Sequence, residues 1–319
     1  MRNKDITAFV EIIKRGELVA FSTETVYGLG ADAWNPGAIH KIFSTKGRPA
    51  DNPLIVHVSD LEMVGEFASE VPDTAKALME HFWPGPMTLI FKKKPDVLDA
   101  ITAGLDTVAI RMPDHKLALD FISQTGPLVA PSANRSGKPS PTKADHVKAD
   151  FGEQFPVLDG GECTIGLEST VIDVTGNPLK IYRPGYIHRK DITKVTGQKI
   201  GVQALMVGNE NAAPRSPGQK YSHYTPAARV LWLTSSKVVD SPETLYLLHS
   251  DAFPLSQLAG HAINFEGDFV RFAKELYDRF RQADIEGYTS VVIEPFDRQS
   301  LKEHPILDAL FNRISKAIG

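Results

Sequence analysis

Hydrophobic positions along the chain follow two different spacings, and the spacing predicts which segments are helices and which are strands. Near the N-terminus, Ile6, Phe9, Val10 and Ile13 fall on one face of a helix, which Gly16 would end. The same period recurs further along the chain. Helices are predicted over 36–45, 72–82, 114–124, 142–150, Phe269–Ala283 and Pro305–Ala317.

Short apolar runs bounded by glycine or proline predict strands. Such runs are Leu18–Phe21, Leu54–Val58, Thr88–Phe91, Val108–Arg111, Leu128–Ala130, Ser169–Val174, Lys180–Tyr182, Val230–Leu233, Thr244–Leu248 and Ser290–Glu294. Several of them follow one another without a helix between them, which is typical of a mixed sheet rather than a purely parallel one. We therefore expect an α/β (α+β) fold with a twisted mixed sheet in residues 1–206.

The hydrophobic pattern stops over residues 207–228, and this composition predicts a linker between two domains. The pattern then resumes, so residues 229–319 are expected to form a second, small Rossmann-like α/β domain. The linker carries functional groups such as His223 and Tyr224, and its prolines limit its freedom. We expect residues 216–226 to act as a lid over a site rather than as a passive tether.

The composition is that of an ordinary globular protein, with 42% hydrophobic and 23% charged residues among 319. The apolar runs are far shorter than the ~18–20 residues of a membrane-spanning helix, and no signal-peptide core follows Met1. A cytoplasmic location without membrane contact is therefore expected. The formal net charge is −4, shared equally by residues 1–206 and 207–319. This balance argues against a dedicated nucleic-acid-binding protein.

Several common sites are excluded or disfavoured. Cys163 is the only cysteine, so no intrachain disulfide or cysteine-based zinc site forms, and we expect a small buried residue there. Residues 28–33 match the glycine pattern of a dinucleotide-binding turn, which must lead directly into a helix. Asn35 and Pro36 instead predict the N-cap and first residue of a later helix, so a loop is expected before them. The chain has no G-x-x-x-x-G-K-[ST] motif.

Charged and polar residues at loops and strand ends are the candidates for chemistry. Lys46 and Arg48 follow a predicted helix and suit a phosphate-bearing ligand, with a solvated loop as the alternative. Arg111 ends a strand and can clamp a carboxylate or a phosphate, or form a structural salt bridge. Ser132 and Asn134 follow another strand, where they can face one pocket or only form local turns.

These candidates include no obvious nucleophile. A histidine within a strand, such as His57, is more often a hydrogen-bonded core residue than a catalyst. Taken together, the lysine, arginine, serine, threonine and asparagine side chains indicate a site that works by positioning and charge neutralisation. Phosphoryl- and nucleotidyl-transfer sites work in this way.

Six motifs together resemble a known family. They are S-T-E-T-V-Y-G-L-G-A at 22–31, K-G-R-P at 46–49, N-P-L at 52–54, P-S-A-N-R-S-G at 131–137, E-S-T at 168–170 and R-P-G at 183–185. This set is similar to the YrdC-like domain. The segment S-P-G-Q-K-Y-S-H-Y-T-P at 216–226, followed by a small domain, resembles the long form of the threonylcarbamoyl-adenylate synthase family. The resemblance spans essentially the whole chain.

The resemblance implies synthesis of L-threonylcarbamoyl-AMP from L-threonine, bicarbonate and ATP, with release of pyrophosphate, for the threonylcarbamoyladenosine modification of tRNA. The family's Lys, Arg, Ser, Asn tetrad falls on Lys46, Arg48, Ser132 and Asn134. Its threonine contacts fall on Thr25, His57, Arg111 and Ser169. Its ATP contacts fall on Arg48, Asn52, Thr107, Asn134, Ser140, Arg183 and Tyr224.

The resemblance also implies Mg²⁺ held by ATP phosphates and water rather than by a protein metal cluster. A downstream threonylcarbamoyl-transferase complex that acts on tRNA is the implied partner, and direct RNA contact is allowed but not required. One alternative is a double-stranded-RNA-binding or ribosome-associated factor built on the same domain. Another is a carbamoyl-transfer module of hydrogenase maturation, which the single cysteine disfavours because those larger proteins carry zinc-finger-like cysteine pairs.

Overall fold

The computed structural model describes residues 6–202, 223–233, 241–251, 258–297 and 299–319. The chain forms a large mixed sheet within residues 19–202 and a small parallel sheet within residues 229–293, which confirms the predicted fold class. Residues 207–222, most of the predicted linker, lie outside the described residues. The boundaries predicted at 206 and 229 remain predictions.

Within the described ranges, ten strands form the large sheet in the order β10-β9-β8-β4-β5-β3-β6-β2-β1-β7. They are β1 Val19–Phe21, β2 Gly28–Asp32, β3 Ile55–His57, β4 Met87–Lys92, β5 Thr107–Arg111, β6 Leu128–Val129, β7 Val157–Leu158, β8 Thr170–Asp173, β9 Lys180–Arg183 and β10 Gly201–Val202. The pair β3–β5 is parallel and the pair β4–β5 antiparallel, so the sheet is mixed as expected.

The structure has a helix at every predicted place, and further short helices accompany them. Those that accompany the large sheet are α1 Ile6–Lys14, α2 Pro36–Lys46, α3 Val64–Phe67, α4 Asp73–Phe82, α5 Asp99–Thr102, α6 Lys116–Thr125, α7 Ala144–Phe151 and α8 Arg189–Thr196. No helix in the described ranges is long and apolar enough to span a bilayer.

The small sheet has the order β11-β14-β12-β13, and all its neighbours are parallel. Its elements are β11 Arg229–Trp232, β12 Thr244–Leu248, β13 His261–Asn264, α9 Phe269–Glu286, β14 Ser290–Ile293, α10 Ser300–Glu303 and α11 Ile306–Ile318. The hydrophobic stripe of α9 is buried as predicted, and the helix continues to Glu286 before Gly287 ends it.

The prediction of a loop before Asn35 is wrong in part, because residues Gly28–Asp32 form β2, which pairs antiparallel with β1. The reason is steric. A Cβ on Gly30 would lie 3.0 Å from the Phe21 ring, so glycine allows the two strands to pack closely there. Two glycines remove the hydrophobic alternation on which strand prediction depends. The rest of the prediction is confirmed: Asn35 caps α2 by accepting from the Ala38 N–H at 3.1 Å.

Two main cores lie on either side of the junction between the units. The larger core surrounds Tyr27 and Ile39 and includes Cys163, which is buried as predicted. The second core is built by α9 and α11, and it also takes in Val26 and Leu167 from the first 202 residues. The second unit is therefore packed directly against two motif-bearing loops of the first.

Candidate active site

A cavity lies on one face of the large sheet, where the predicted motifs meet. Side chains alternate along a strand, so Ile55 and His57 of β3 point to the same face. The parallel register of β5 places Arg111 beside His57. The cavity is lined by Thr23, Thr25, Val26, Gly28, Arg48, Ile55, His57, Arg111, Ala130, Pro131, Ser132, Glu168, Ser169, Arg183, His223 and Tyr224.

Arg111 is held from three sides. Its Nη1 donates to the Thr25 hydroxyl at 2.7 Å, and its Nε donates to the Gly85 carbonyl at 3.3 Å. Its Nη2 lies 2.6 Å from Oε1 of Glu24, in an ion pair rather than an aligned hydrogen bond. Both charged side chains are buried, so removing one would leave the other uncompensated. The alternative of a structural salt bridge is therefore correct, and the same guanidinium also lines the cavity.

His57 combines a core position with a place in the cavity wall. Its Nδ1 donates to the Ile55 carbonyl at 3.2 Å, which leaves Nε2 as an acceptor. Burial is the largest cause and the positive charge of Arg111 the next, and together they lower the pKa of His57 to about 3. The ring therefore stays neutral at neutral pH and can accept a hydrogen bond from a ligand.

Ser169 and Arg183 form a second part of the wall. The Ser169 hydroxyl lies 2.7 Å from the Thr88 hydroxyl and accepts from Arg183 Nη2 at 3.0 Å. Arg183 Nε also donates to the Ser169 carbonyl at 3.0 Å. A Cβ on Gly185 would lie 2.4 Å from the Thr170 nitrogen, so the R-P-G turn needs glycine to bring Arg183 this close.

Lys46 supports the cavity wall without lining it. Its Nζ donates to the main-chain oxygens of Ser132 and Asn134, both at 2.6 Å. The Ser136 N–H donates back to the Lys46 carbonyl at 2.8 Å. The pKa of Lys46 is lowered, mainly by burial and to a smaller degree by the positive charge of Arg48. The end of α2 is thus tied to the P-S-A-N loop, and Lys46 orients Ser132.

Arg48 lines the cavity and is half-buried. Its Nη2 donates to the carbonyl oxygens of Asn52 at 2.9 Å and Pro53 at 3.1 Å. These contacts fix the direction of the guanidinium, which is always charged. A cation with a fixed direction on a cavity wall suits a group that meets phosphates.

Some buried polar atoms near the cavity have no hydrogen-bond partner in the described part of the chain. Among them are both amide atoms of Asn52, Oδ1 of Asn134 and Nε2 of His223. Asn134 does use its Nδ2, which donates to the Arg135 and Lys138 carbonyls. A buried polar group without a hydrogen bond costs about 1–3 kcal/mol, so a ligand or water is expected to form hydrogen bonds with these atoms.

Four of the seven predicted ATP contacts are not among the residues that line the cavity: Asn52 and Asn134, described above, and Ser140 and Thr107. Ser140 is buried behind it, where its hydroxyl donates to Oε1 of Glu168 at 2.6 Å. Thr107 begins β5 opposite Lys92, at the other end of the strand from Arg111. The tertiary structure does not bring Thr107 to the cavity, because β5 is extended between the two residues.

Sequence reasoning missed several residues that shape the site. Glu24 and Glu168 lie inside the motifs S-T-E-T and E-S-T, and an acid within a motif that accompanies several arginines could have indicated an ion pair. Tyr277 and Arg313, which contact Glu168, lie on helices of the second unit whose pattern is simply amphipathic. No local signal distinguishes these two residues from other members of their helices.

The carboxylates beside the cavity do not form a metal site. In the ranges that the structure describes, no three histidine, cysteine, aspartate or glutamate side chains come together. Glu24 is paired with Arg111, and Glu168 is paired with Arg313. These residues do not fit a protein-held Mg²⁺ ion.

Comparisons with known proteins place this geometry in context. A family model described as "Telomere recombination" (Sua5/YciO/YrdC) matches residues 11–185, and one described as "Threonylcarbamoyl-AMP synthase, C-terminal domain" matches residues 187–319. A curated threonylcarbamoyl-AMP synthase from Pyrococcus abyssi is 42% identical over 96% of this chain and 92% of its own length. One from Bacillus subtilis is 41% identical over 97% of this chain and 91% of its own length.

A solved structure shares the whole architecture. The crystal structure of P. abyssi Sua5 complexed with L-threonine aligns with a TM-score of 0.87 at 38% sequence identity. The alignment covers 98% of this chain and 94% of that chain.

Proposed function

Because this chain belongs to the Sua5/YciO/YrdC family, in its two-domain threonylcarbamoyl-AMP synthase form, we propose that the cavity is where it joins L-threonine, bicarbonate and ATP. The products are L-threonylcarbamoyl-AMP and pyrophosphate. The activated threonylcarbamoyl group then serves the threonylcarbamoyladenosine modification of tRNA. The chain is accordingly an enzyme, a nucleotidyltransferase.

One observation carries the proposal. Residues from motifs that are far apart in the sequence, including Thr25, Arg48, Arg111, Ser132 and Arg183, line one cavity. The cavity offers arginine guanidinium groups and hydroxyls but no activated nucleophile among its described lining residues. A reaction in which the substrates attack one another needs only such orienting and charge-balancing groups.

The reaction then has two steps. The threonine amine forms a bond to the carbon of bicarbonate, and water leaves, which gives a carbamate. A carbamate oxygen attacks the α-phosphorus of ATP in line, and the bond to the pyrophosphate oxygen breaks. No covalent bond to the protein forms, in agreement with the chemistry of the wall.

The surroundings of Arg111 are suited to the amino acid. Arg111 can contact the carboxylate, while Glu24 keeps the local charge balanced. Neutral His57 can accept a hydrogen bond through Nε2, and the hydroxyl-bearing residues Thr25 and Ser169 also line the cavity. The related P. abyssi protein was crystallised as a complex with L-threonine, which supports threonine as a ligand of this family.

The Arg48 and Arg183 side chains are suited to the phosphates. Arg48 is oriented by main-chain carbonyl oxygens. Arg183 carries a fork-shaped guanidinium that is always charged and can bind oxygens in pairs. Asn52 and Asn134 have amide atoms left for the nucleotide, and Ser132 lies on the lining with the two arginines.

Three further points belong to this proposal. Mg²⁺ is expected to arrive on the ATP phosphates, with phosphate and water oxygens as its ligands. A downstream threonylcarbamoyl-transferase complex is expected to receive the product, in the cytoplasm. Residues 216–226 are expected to close over the cavity. Residues 216–222 lie outside the described residues, and Tyr224 already lines the cavity.

The test is pyrophosphate release from ATP by the purified full chain. Release should require both L-threonine and bicarbonate, and mass spectrometry should detect threonylcarbamoyl-AMP. Serine and valine are the matched substrate controls, since each lacks one group of threonine. Pyrophosphate release without threonine, or none under any condition, would overturn the proposal.

The RNA-binding alternative is disfavoured. Relatives at 41% and 42% identity over nearly the whole chain are named as synthases. A gel-shift assay with double-stranded RNA separates the two functions. Tight RNA binding without synthesis would favour the alternative.

A further inference from the structure

Glu168 is an acid on the wall of a cavity that is proposed to hold a polyanion. It is buried, and its carboxylate accepts hydrogen bonds from a serine hydroxyl, a tyrosine hydroxyl and a guanidinium group. Oε1 accepts from the Ser140 hydroxyl at 2.6 Å, and Oε2 accepts from the Tyr277 hydroxyl at 3.0 Å. Oε2 also accepts from Arg313 Nε at 2.7 Å. The cation and the phenol both come from helices of the second unit, α11 and α9.

Arg313 is fixed in this position. Its side chain is fully buried, at 0% exposure. Besides the carboxylate, its Nη2 lies within 3.4 Å of the Glu168 carbonyl, and its Nη1 donates to Oδ1 of Asn312 at 2.7 Å. Burial alone would raise the pKa of Glu168, but the charges of Arg313 and Arg183 outweigh it and lower that pKa to about 2. Glu168 and Arg313 are therefore an ionised pair at neutral pH.

Besides Arg313, both Arg183 and Lys316 act on the charge of Glu168. Of these two cations, Arg183 lines the cavity, and it donates to the Ser169 hydroxyl and carbonyl rather than to a carboxylate. If Arg313 were absent, Arg183 and Lys316 would be the cations left near Glu168. A pair of Glu168 with Arg183 would neutralise the positive charge offered to phosphates and would draw the guanidinium away from Ser169.

The same second-unit residues also hold Tyr224, which lines the cavity. The Tyr224 ring stacks on Tyr277, with 5.2 Å between centroids and 27° between planes. The Arg313 guanidinium lies 5.6 Å from the centre of the Tyr224 ring. Arg313 thus contacts both a motif loop and the segment that leads into the second unit.

We propose that Arg313 is a positioning residue of the synthase site: by neutralising Glu168, it leaves Arg183 available to the ATP phosphates and keeps Ser169 in place. This inference rests on the proposed function. It gives the second unit a role in the chemistry without any direct contact between that unit's helices and substrate.

Arg281 provides a matched control. It is also a buried arginine of the second unit, it lies on α9, and it pairs with Asp150 of the first unit at 2.8 Å. Neither Arg281 nor Asp150 lines the cavity. Arg281→Met should therefore break a buried inter-unit pair without the change in charge beside Arg183, and Asp150 keeps Lys138 at 3.2 Å.

The experiment measures kcat and the KM values for ATP and threonine with the full chain and four variants. They are Arg313→Met, Glu168→Gln, the double variant, and Arg281→Met. Arg313→Met should raise the KM for ATP by at least about tenfold. The unpaired buried carboxylate of Glu168 is strongly unfavourable, so it would pair with Arg183 and remove that cation from the phosphates. The double variant should recover to within about threefold of the wild type, because a neutral amide no longer competes for Arg183.

Equal KM values in Arg313→Met and Arg281→Met, or a double variant no better than Arg313→Met, would show a purely structural role and overturn the inference. If Arg313→Met fails to fold, Arg313→Lys replaces it, since lysine keeps the charge but loses the paired contacts. A smaller rise in the KM for ATP, again relieved by Glu168→Gln, is then the expected result, and an unchanged KM overturns the inference. An inactive wild type would instead contradict the proposed function, and calorimetric ATP binding by the same variants would still test Arg313.

Discussion

Two arginines of the cavity wall are held in different ways. The Arg111 guanidinium is balanced by the carboxylate of Glu24 and also donates to Thr25 and Gly85. The Arg183 guanidinium donates to the hydroxyl and carbonyl of Ser169, which orient it and carry only partial charge. Arg111 thus belongs to an internally balanced network, whereas Arg183 offers positive charge to a ligand.

On the proposed function, this difference would let one cavity sort two substrates. An amino acid is a zwitterion and adds no net charge, so it suits Arg111, whose charge Glu24 already balances. ATP is a polyanion and is expected near Arg183 and Arg48, which line the wall. Substitutions at each arginine test this contrast separately.

The largest effect is expected from Arg48→Ala. Loss of a fixed cation that faces phosphates should lower kcat/KM for ATP by at least about a hundredfold, and the fold should persist because Arg48 is only half-buried. Pyrophosphate release measures the rate, and circular dichroism measures the fold. Lys41→Ala is the control, since Lys41 lies on the preceding helix α2 and pairs with Glu17 at the surface. Equal rates in the two variants would remove Arg48 from the active site.

The second effect concerns Arg111, whose charge Glu24 balances. Arg111→Met leaves Glu24 as an uncompensated buried charge and should lower the free energy of unfolding by about 3–5 kcal/mol. Adding Glu24→Gln should restore most of this stability but not the use of threonine, since the carboxylate contact is still missing. Urea unfolding and threonine titration measure the two properties. If the double variant regains normal threonine KM, Arg111 is only structural.

A third, smaller effect is expected from Asn52→Leu. The side-chain oxygen and nitrogen of Asn52 have no hydrogen-bond partner in the described ranges, so leucine loses no hydrogen bond. The substitution should therefore leave the free energy of unfolding unchanged or raise it by up to about 1 kcal/mol. The increase in melting temperature caused by ATP should shrink, because the nucleotide loses its amide partner. Asn35→Ala is the contrasting control. It removes the cap of α2, so it should lower stability and leave the ATP effect intact. A clear loss of stability in Asn52→Leu without ATP would contradict the assignment.

The last effect appears only on acidification and concerns His57. The pKa of His57 falls from its ordinary value near 6.5 to about 3 in the folded chain, so the unfolded chain binds the extra proton between these values. The neutral ring therefore makes its full contribution to the free energy of unfolding above about pH 6.5. This contribution decreases on acidification, by at most about 1.4 kcal/mol per pH unit. Urea unfolding between pH 7 and 4.5 should show a shallower slope for His57→Gln. An unchanged slope in His57→Gln would mean that the ring is not held neutral.

Most elements of the fold can be predicted from local patterns. Asn35 and Pro36 mark the start of α2, and the stripe on α9 predicts its buried face, because caps and periodicity depend on neighbours in sequence. The strand Gly28–Asp32 cannot be found in this way. Its glycines serve the contact with Phe21, and that contact exists only after the hairpin has formed.

The candidate site is predictable in its residue types more than in its contacts. Arg48, Arg111 and Arg183 do line the cavity, whereas Lys46 binds carbonyl oxygens and Thr107 lies at the far end of its strand. Motif spacing indicates that residues belong to one site. It does not indicate which of them face the ligand and which hold the others in place.

The alternating helices and strands, the breaks between them and the set of charged and hydroxyl side chains can all be read from the chain alone. These features follow from local sterics, hydrogen bonding and the burial of periodic hydrophobic positions. The ion pair of Glu24 with Arg111, and that of Glu168 with Arg313, 145 positions away, arise only in the folded molecule. Such pairs depend on how sheets and helices pack in three dimensions, and a charge carries no local pattern that names its distant partner.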